Sequence, residues 1–238
     1  MKLNKWPLFF ISSVILFYSA AVQAIEVFPI VKDIRQDSPR DNFITVKSAF
    51  RSSDTEVQGE DSNSQRYEFV TLELFRVTNP GDTNENRVKE LGTADPTLLF
   101  SPTKLIVPYG EERKVRILPL KPVGYETVYR LRIRPSYPEK ESDKGKVRFA
   151  VGYDVLLRYL PPGKHTAGIS LTCKGNAWTL RATGNVRSEL RNLIIDGRKD
   201  RKSFNVYPQH ARSLTVNRHL SFEMDGKLQV YDMCEHKE

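Results

Sequence analysis

Apolar and polar residues alternate along most of the chain, which is the spacing of half-buried β-strands. A clear example is the run Phe69 to Val77, which a Pro- and Gly-containing turn at Asn79–Asp82 separates from the next run. No long stretch shows a convincing helical period. Because short strands recur at a spacing of roughly ten residues, we expect an all-β protein.

A Pro-rich link divides the predicted strands into two series. Pro161-Pro162-Gly163 interrupts the pattern, and a second set of short strands follows it. We therefore expect two β-sandwich domains, at residues 25–161 and 162–238, joined by a short, stiff link. A single larger barrel is the alternative.

The first 24 residues have the layout of an export signal. Two lysines precede a continuous apolar or small-residue core from Pro7 to Tyr18, and Val22-Gln23-Ala24 has small residues where a signal peptidase reads them. The apolar core is shorter than the roughly 20 residues that span a bilayer. We expect a signal peptide at 1–24 and an exported mature chain, with an N-terminal membrane anchor as the alternative.

Composition narrows the class of protein. The 238 residues are 39% hydrophobic and 28% charged, with a net charge of +8, which is too apolar for a disordered chain. Export permits a disulfide between Cys173 and Cys234, and two unpaired buried thiols are the alternative. The four histidines are scattered, and no hydrolase elbow or phosphate-binding loop is present. We expect no catalysis, no metal and no cofactor, and the acidic loops argue against nucleic acid as a partner.

Three arginines share one face of a predicted strand. Arg130, Arg132 and Arg134 alternate with apolar residues, so their guanidinium groups lie on the same side. Such a row is either a solvated face or a basic patch that meets a carboxylate-bearing partner.

The segment Lys146 to Leu160 is unusually long for one strand. At about 14 residues it exceeds the usual five or six. Its bulky residues share one face: Val147, Phe149, Val151, Tyr153, Val155 and Leu157. It is either a long ordinary sandwich strand or an edge strand that lends large side chains to a second protein.

An ordered series of short motifs runs along nearly the whole mature chain. Its members are Leu99–Pro102, Leu105–Gly110, Val115–Ile117, Glu126–Arg130 and Ala182–Asn185. The series resembles the periplasmic chaperones of the chaperone–usher pilus pathway, the PapD-like superfamily. Glu26–Asp33 and Arg158–Pro161 look closest to the alternate branch of that family, which serves alpha-type fimbriae.

The resemblance implies two immunoglobulin-like domains set as an L, and a location in the periplasm. It implies a chaperone that stabilises pilin subunits by donor-strand complementation and delivers them to an outer-membrane usher for fimbria assembly. A fimbrial structural subunit or adhesin is the first alternative, and a secreted sugar-binding or hydrolytic β-sandwich is the second.

The resemblance also assigns residues to the pilin subunit. The donor residues are Val147, Phe149, Val151 and Tyr153. Lys32 and Arg158 are expected to anchor the C-terminal carboxylate of the subunit. Exposed donor residues such as Phe149 also suggest, as a hypothesis, a self-capping homodimer.

Two further sites follow from the same resemblance. Glu126 and Asp225 match the acids of an interdomain salt bridge, but Leu160 occupies the position of its usual arginine. Arg158 therefore has two open roles, as carboxylate anchor or as part of the bridge. Pro102 matches a proline at the usher-contacting surface.

Overall fold

The computed structural model describes residues 25–49, 67–136, 150–200 and 204–237. These residues form nineteen strands and one short 3-10 helix, η1 (Pro39–Asp41), so the all-β prediction is confirmed. Within these ranges, no helix has the length and apolar character needed to cross a membrane.

Ten strands make up the first half of the chain. They are β1 (Ile25–Phe28), β2 (Val31–Ile34), β3 (Phe43–Ser48), β4 (Tyr67–Val77), β5 (Arg87–Lys89), β6 (Leu98–Ser101), β7 (Lys104–Pro108), β8 (Glu112–Pro119), β9 (Thr127–Ser136) and β10 (Tyr153–Tyr159). One sheet has the order β1-β3-β8-β6. The other has the order β2-β10-β9-β4-β5, and β7 also pairs with β4.

Strand β4 shows how the alternating sequence builds the first core. Val70, Leu72 and Leu74 are buried, whereas Thr71 is exposed and Glu73 only half-buried between them. Successive side chains of a strand point to opposite faces, so this spacing gives the sheet one apolar face. The apolar faces of both sheets contribute to a single buried cluster that spans Ile25 to Tyr159.

Nine strands make up the second half. They are β11 (Ile169–Lys174), β12 (Ala177–Ala182), β13 (Ser188–Ile195), β14 (Arg198–Lys199), β15 (Phe204–Val206), β16 (Ala211–Thr215), β17 (His219–Met224), β18 (Lys227–Asp232) and β19 (Glu235–Lys237). The sheet orders are β11-β12-β16 and β14-β13-β17-β18-β19, with β15 beside β13. Trp178 and Phe222 lie in a second buried cluster.

The disulfide between Cys173 and Cys234 is confirmed. It joins the end of β11 to the turn between β18 and β19, and both cysteines pack against the second cluster. Among the described strands, no sheet mixes the two halves. The boundary at Pro161 stays a prediction.

The predicted strand from Lys146 is shorter where it can be compared. Strand β10 begins at Tyr153, whereas 150–152 lie outside regular structure. Its antiparallel ladder with β9 also begins at Tyr153, opposite Ile133. Gly152 is a weak strand former, and it passes close to the carbonyl of Ile133, where a Cβ would lie 3.3 Å from that oxygen.

Candidate functional site

Strand β10 has one face in the core and one edge only partly paired. Val155, Leu157 and Tyr159 are fully buried, as the alternation predicts. The strand pairs with β9 over its whole length, but with β2 only from Leu156 onward. Along Tyr153–Val155, the edge on the β2 side therefore has no ladder partner among the described strands.

Two of the four predicted donor residues lie at this open edge. Val151 is 44% exposed. Tyr153 packs against the core, and its hydroxyl donates to the carbonyl of Ile25 at 2.8 Å. Val147 and Phe149 lie outside the described residues.

Arg158 and Glu126 form a part-buried ion pair at the contact between the two halves. The Nε atom of Arg158 donates to Oε1 of Glu126 at 2.7 Å, and Nη2 donates to Oε2 at 3.3 Å. The backbone amide of Arg187, in the second half, donates to Oε2 at 2.8 Å. In return, the amide of Glu126 donates to the carbonyl of Asn185 at 2.8 Å. One carboxylate thus receives donors from both halves.

The charge of Arg158 is compensated twice. Its Nη1 atom also lies 3.1 Å from Oδ1 of Asp33 on β2. Partial burial alone would lower the pKa of Arg158. The hydrogen bond and charge of Glu126, with the charge of Asp33, outweigh that effect and raise the pKa instead.

Lys32 and Arg158 are not brought together. Lys32 is the register partner of Leu157, whereas Arg158 is the partner of Asp33, so the two cations start from opposite faces of the sheet. The ammonium group of Lys32 lies 5.8 Å from the ring centre of Phe43. Only Arg158 therefore reaches the carboxylate of Glu126.

Asp225 occupies a different place from Glu126. It is exposed in the tight turn between β17 and β18, and within the described ranges it forms no ion pair. The groups that reach Glu126 from the second half are instead the backbone atoms of Asn185 and Arg187. Sequence reasoning missed this backbone contact, although the Ala182–Asn185 motif ends at it.

That motif has a packing reason. A Cβ at Gly184 would lie 1.9 Å from the carbonyl oxygen of Thr166, so only glycine fits. The side chain of Asn185 accepts from the amide of Thr166 at 2.8 Å and donates to the carbonyl of Lys164 at 3.0 Å. The motif holds the segment after the Pro-rich link beside Glu126.

The row of three arginines is largely neutralised by acids that the sequence did not reveal. Arg130 binds Glu85, with Nε to Oε2 at 3.0 Å. Arg132 binds Asp154, with Nε to Oδ1 at 3.3 Å. Arg134 is exposed. The face is therefore a ladder of ion pairs more than a free basic patch.

Pro102 lies on the exposed link between β6 and β7, after a cis peptide bond from Ser101. An apolar contact of Val77, Val128 and Tyr207, with Leu156 packed on it, joins the two halves. Among the described residues, no group of three His, Cys, Asp or Glu side chains could hold a metal ion.

No family model matches the chain. One curated relative is an Escherichia coli protein whose name makes it a component of CFA/I fimbriae. It is 24% identical over 231 residues, and the match covers 90% of this chain and 90% of the relative.

Two similar solved structures come from fimbrial systems. One is the class 5 fimbriae chaperone CfaA, with a TM-score of 0.64, 20% identity, and coverage of 87% of this chain and 98% of that chain. The other is a chain of the chaperone–tip adhesin complex of CFA/I fimbriae biogenesis, with a TM-score of 0.65, 20% identity and the same coverage. The chain therefore has the fold of these fimbrial chaperones.

Proposed function

We propose that this protein is a periplasmic chaperone of fimbria assembly that acts by binding and not by catalysis. It captures pilin subunits by donating a strand to them, and it delivers them to an outer-membrane usher. The similarity of its fold to CfaA supports this proposal. So does the chaperone–tip adhesin complex, whose partner is a fimbrial adhesin.

The open edge of β10 is the observation that carries the proposal. Leu156 donates its amide to the carbonyl of Ile30 at 2.9 Å, but the ladder with β2 goes no further toward Tyr153. An unpaired strand edge offers backbone donors and acceptors to an added strand, and apolar side chains beside it fill the groove of an incomplete sandwich. Val151 is exposed at this edge. Val147 and Phe149 would extend the same apolar row.

The other predicted contacts take distinct roles in this proposal. Arg158 belongs to the contact between the halves, because Glu126 and Asp33 already compensate its charge. Lys32 makes no ion pair with a described carboxylate, so it remains the candidate anchor for the pilin's C-terminal carboxylate. Pro102 is the candidate usher contact. A self-capping homodimer would cover the same open edge of β10 before a pilin binds.

A fimbrial structural subunit is the second candidate, because the curated relative bears the name of a fimbrial component. Deletion of the gene, followed by electron microscopy and composition analysis of purified fimbriae, separates the two. A chaperone is required for fimbriae but absent from the purified fibres. A structural component would be found in the fibres.

A further inference from the structure

Asp154 is held by two arginines on the face of β10 that points away from the core. Its Oδ2 atom accepts from Nη1 of Arg87 at 2.6 Å, and its Oδ1 atom accepts from Nε of Arg132 at 3.3 Å. Partial burial alone would raise the pKa of Asp154, but the hydrogen bond and charge of Arg87, with those of Arg132, hold it below the usual value. The carboxylate is therefore ionised at neutral pH.

Both arginines are themselves fixed. Arg132 is the register partner of Asp154 on β9, and its guanidinium carbon lies 4.9 Å from the ring centre of Phe75. Arg87 lies on β5 and also donates to Glu85 at 2.9 Å. Glu85 in turn binds Arg130. The contact thus ties the start of β10 across the sheet to β5.

The backbone of Asp154 faces the open edge. Because Leu156 donates its amide toward β2, strand alternation sends the amide and carbonyl of Asp154 toward the same side. The register with β2 begins only at Leu156, so no described strand pairs there. The residue whose side chain is clamped is also the residue whose backbone is open to an added strand.

The opposite face of the same segment is fixed as well. The hydroxyl of Tyr153 donates to the carbonyl of Ile25, and Val155 is fully buried. Side-chain contacts on both faces therefore hold the segment extended while its edge stays open.

We propose that Asp154 is a positioning residue for strand donation. Through Arg87 and Arg132 it keeps the first residues of β10 in the geometry that pairs with an incoming pilin strand. This inference rests on the proposed function, since the incoming strand is that of the pilin. Ordering the segment in advance lowers the entropy cost of association, because fewer torsions become fixed on binding.

Hydrogen exchange of the chaperone alone tests the clamp. Asp154→Asn and Arg87→Met break the same contact from its two sides. Glu73→Gln is the matched control, because it breaks the Glu73–Lys89 pair (2.8 Å) on the same face without touching β10. The amides of Tyr153 and Val155, which point toward β9, should exchange faster in both clamp variants and at the wild-type rate in the control. Equal exchange in all four proteins would overturn the proposal.

The association rate with a purified pilin then tests the consequence. We expect Asp154→Asn and Arg87→Met to slow capture roughly two- to tenfold, as the loss of about one ordered side chain implies, with Glu73→Gln unchanged. Faster exchange without slower capture would overturn the positioning role. If the wild type captured no pilin at all, the proposed function would fail, while the exchange comparison would still decide whether the clamp exists.

Discussion

Arg158 reaches both carboxylate oxygens of Glu126, and that same carboxylate accepts the backbone amide of Arg187 from the other half of the chain. The side chain of Glu126 is fully buried, so its charge depends on these donors. Loss of one donor leaves a buried charge uncompensated, which costs far more than loss of a surface ion pair.

Arg158→Met should therefore destabilise the protein strongly. We expect a loss of about 3 kcal/mol in the free energy of unfolding, measured by urea denaturation. Arg113→Met is the control, because its pair with Glu111 is exposed and should contribute less than about 1 kcal/mol. Equal losses in the two variants would show that Glu126 does not need Arg158.

Glu68→Gln should stabilise the protein at neutral pH. Glu68 points into the first core from β4 and is only 1% exposed. Burial raises its pKa above the usual value, and a hydrogen bond from Ser48 offsets this effect only in part. Because the folded state holds the proton more tightly than the unfolded state, wild-type stability should rise as pH falls from neutral through the folded-state pKa.

The pH series is the measurement for Glu68. The stability advantage of Glu68→Gln, from thermal unfolding, should be largest near pH 7 and should shrink as the pH approaches the ordinary glutamate value of 4.5. A difference that stayed constant from pH 7 to pH 4.5 would contradict the assigned pKa shift.

Local pattern predicted the fold, whereas long-range pairing remained hidden. The strand period at Phe69–Val77 is a property of neighbouring residues, so the sequence alone reveals it. The contact of Arg87 with Asp154 joins residues 67 positions apart, and no local spacing announces it. The backbone donors at Asn185 and Arg187 were missed for a related reason, because any residue type carries a backbone amide.

Removal of the disulfide should weaken the second half of the chain. Cys173 and Cys234 close a loop of sequence separation 61, for which the chain-entropy model gives about 4 kcal/mol. The Cys173→Ala/Cys234→Ala variant should unfold at a lower urea concentration than the oxidised wild type. A reductant should lower the wild-type midpoint but not that of the variant. An unchanged midpoint in the double variant would mean that the second core does not need the bond.

Lys32→Met should weaken pilin binding if Lys32 anchors the pilin's C-terminal carboxylate. Lys114→Met is the matched control, because its ammonium group also lies over the ring of Phe43, at 4.4 Å, but on the opposite side of the strand pair. We expect loss of affinity only for Lys32→Met, measured by titration with pilin. A pilin that lacks its last residues should bind both variants and the wild type equally. Equal affinity of full-length pilin for all three proteins would remove Lys32 from the site.

Strand donation to a pilin is tested most directly by recovery of a co-expressed pilin from the periplasm. The pilin encoded beside this gene is expressed with the wild type, with Phe149→Asp, and with Leu228→Asp, which changes a residue that is 66% exposed in the second half. A charge in the donor row cannot fill an apolar groove without a large desolvation cost. We predict that pilin is recovered with the wild type and with Leu228→Asp, and is lost with Phe149→Asp. Undiminished recovery with Phe149→Asp would contradict strand donation.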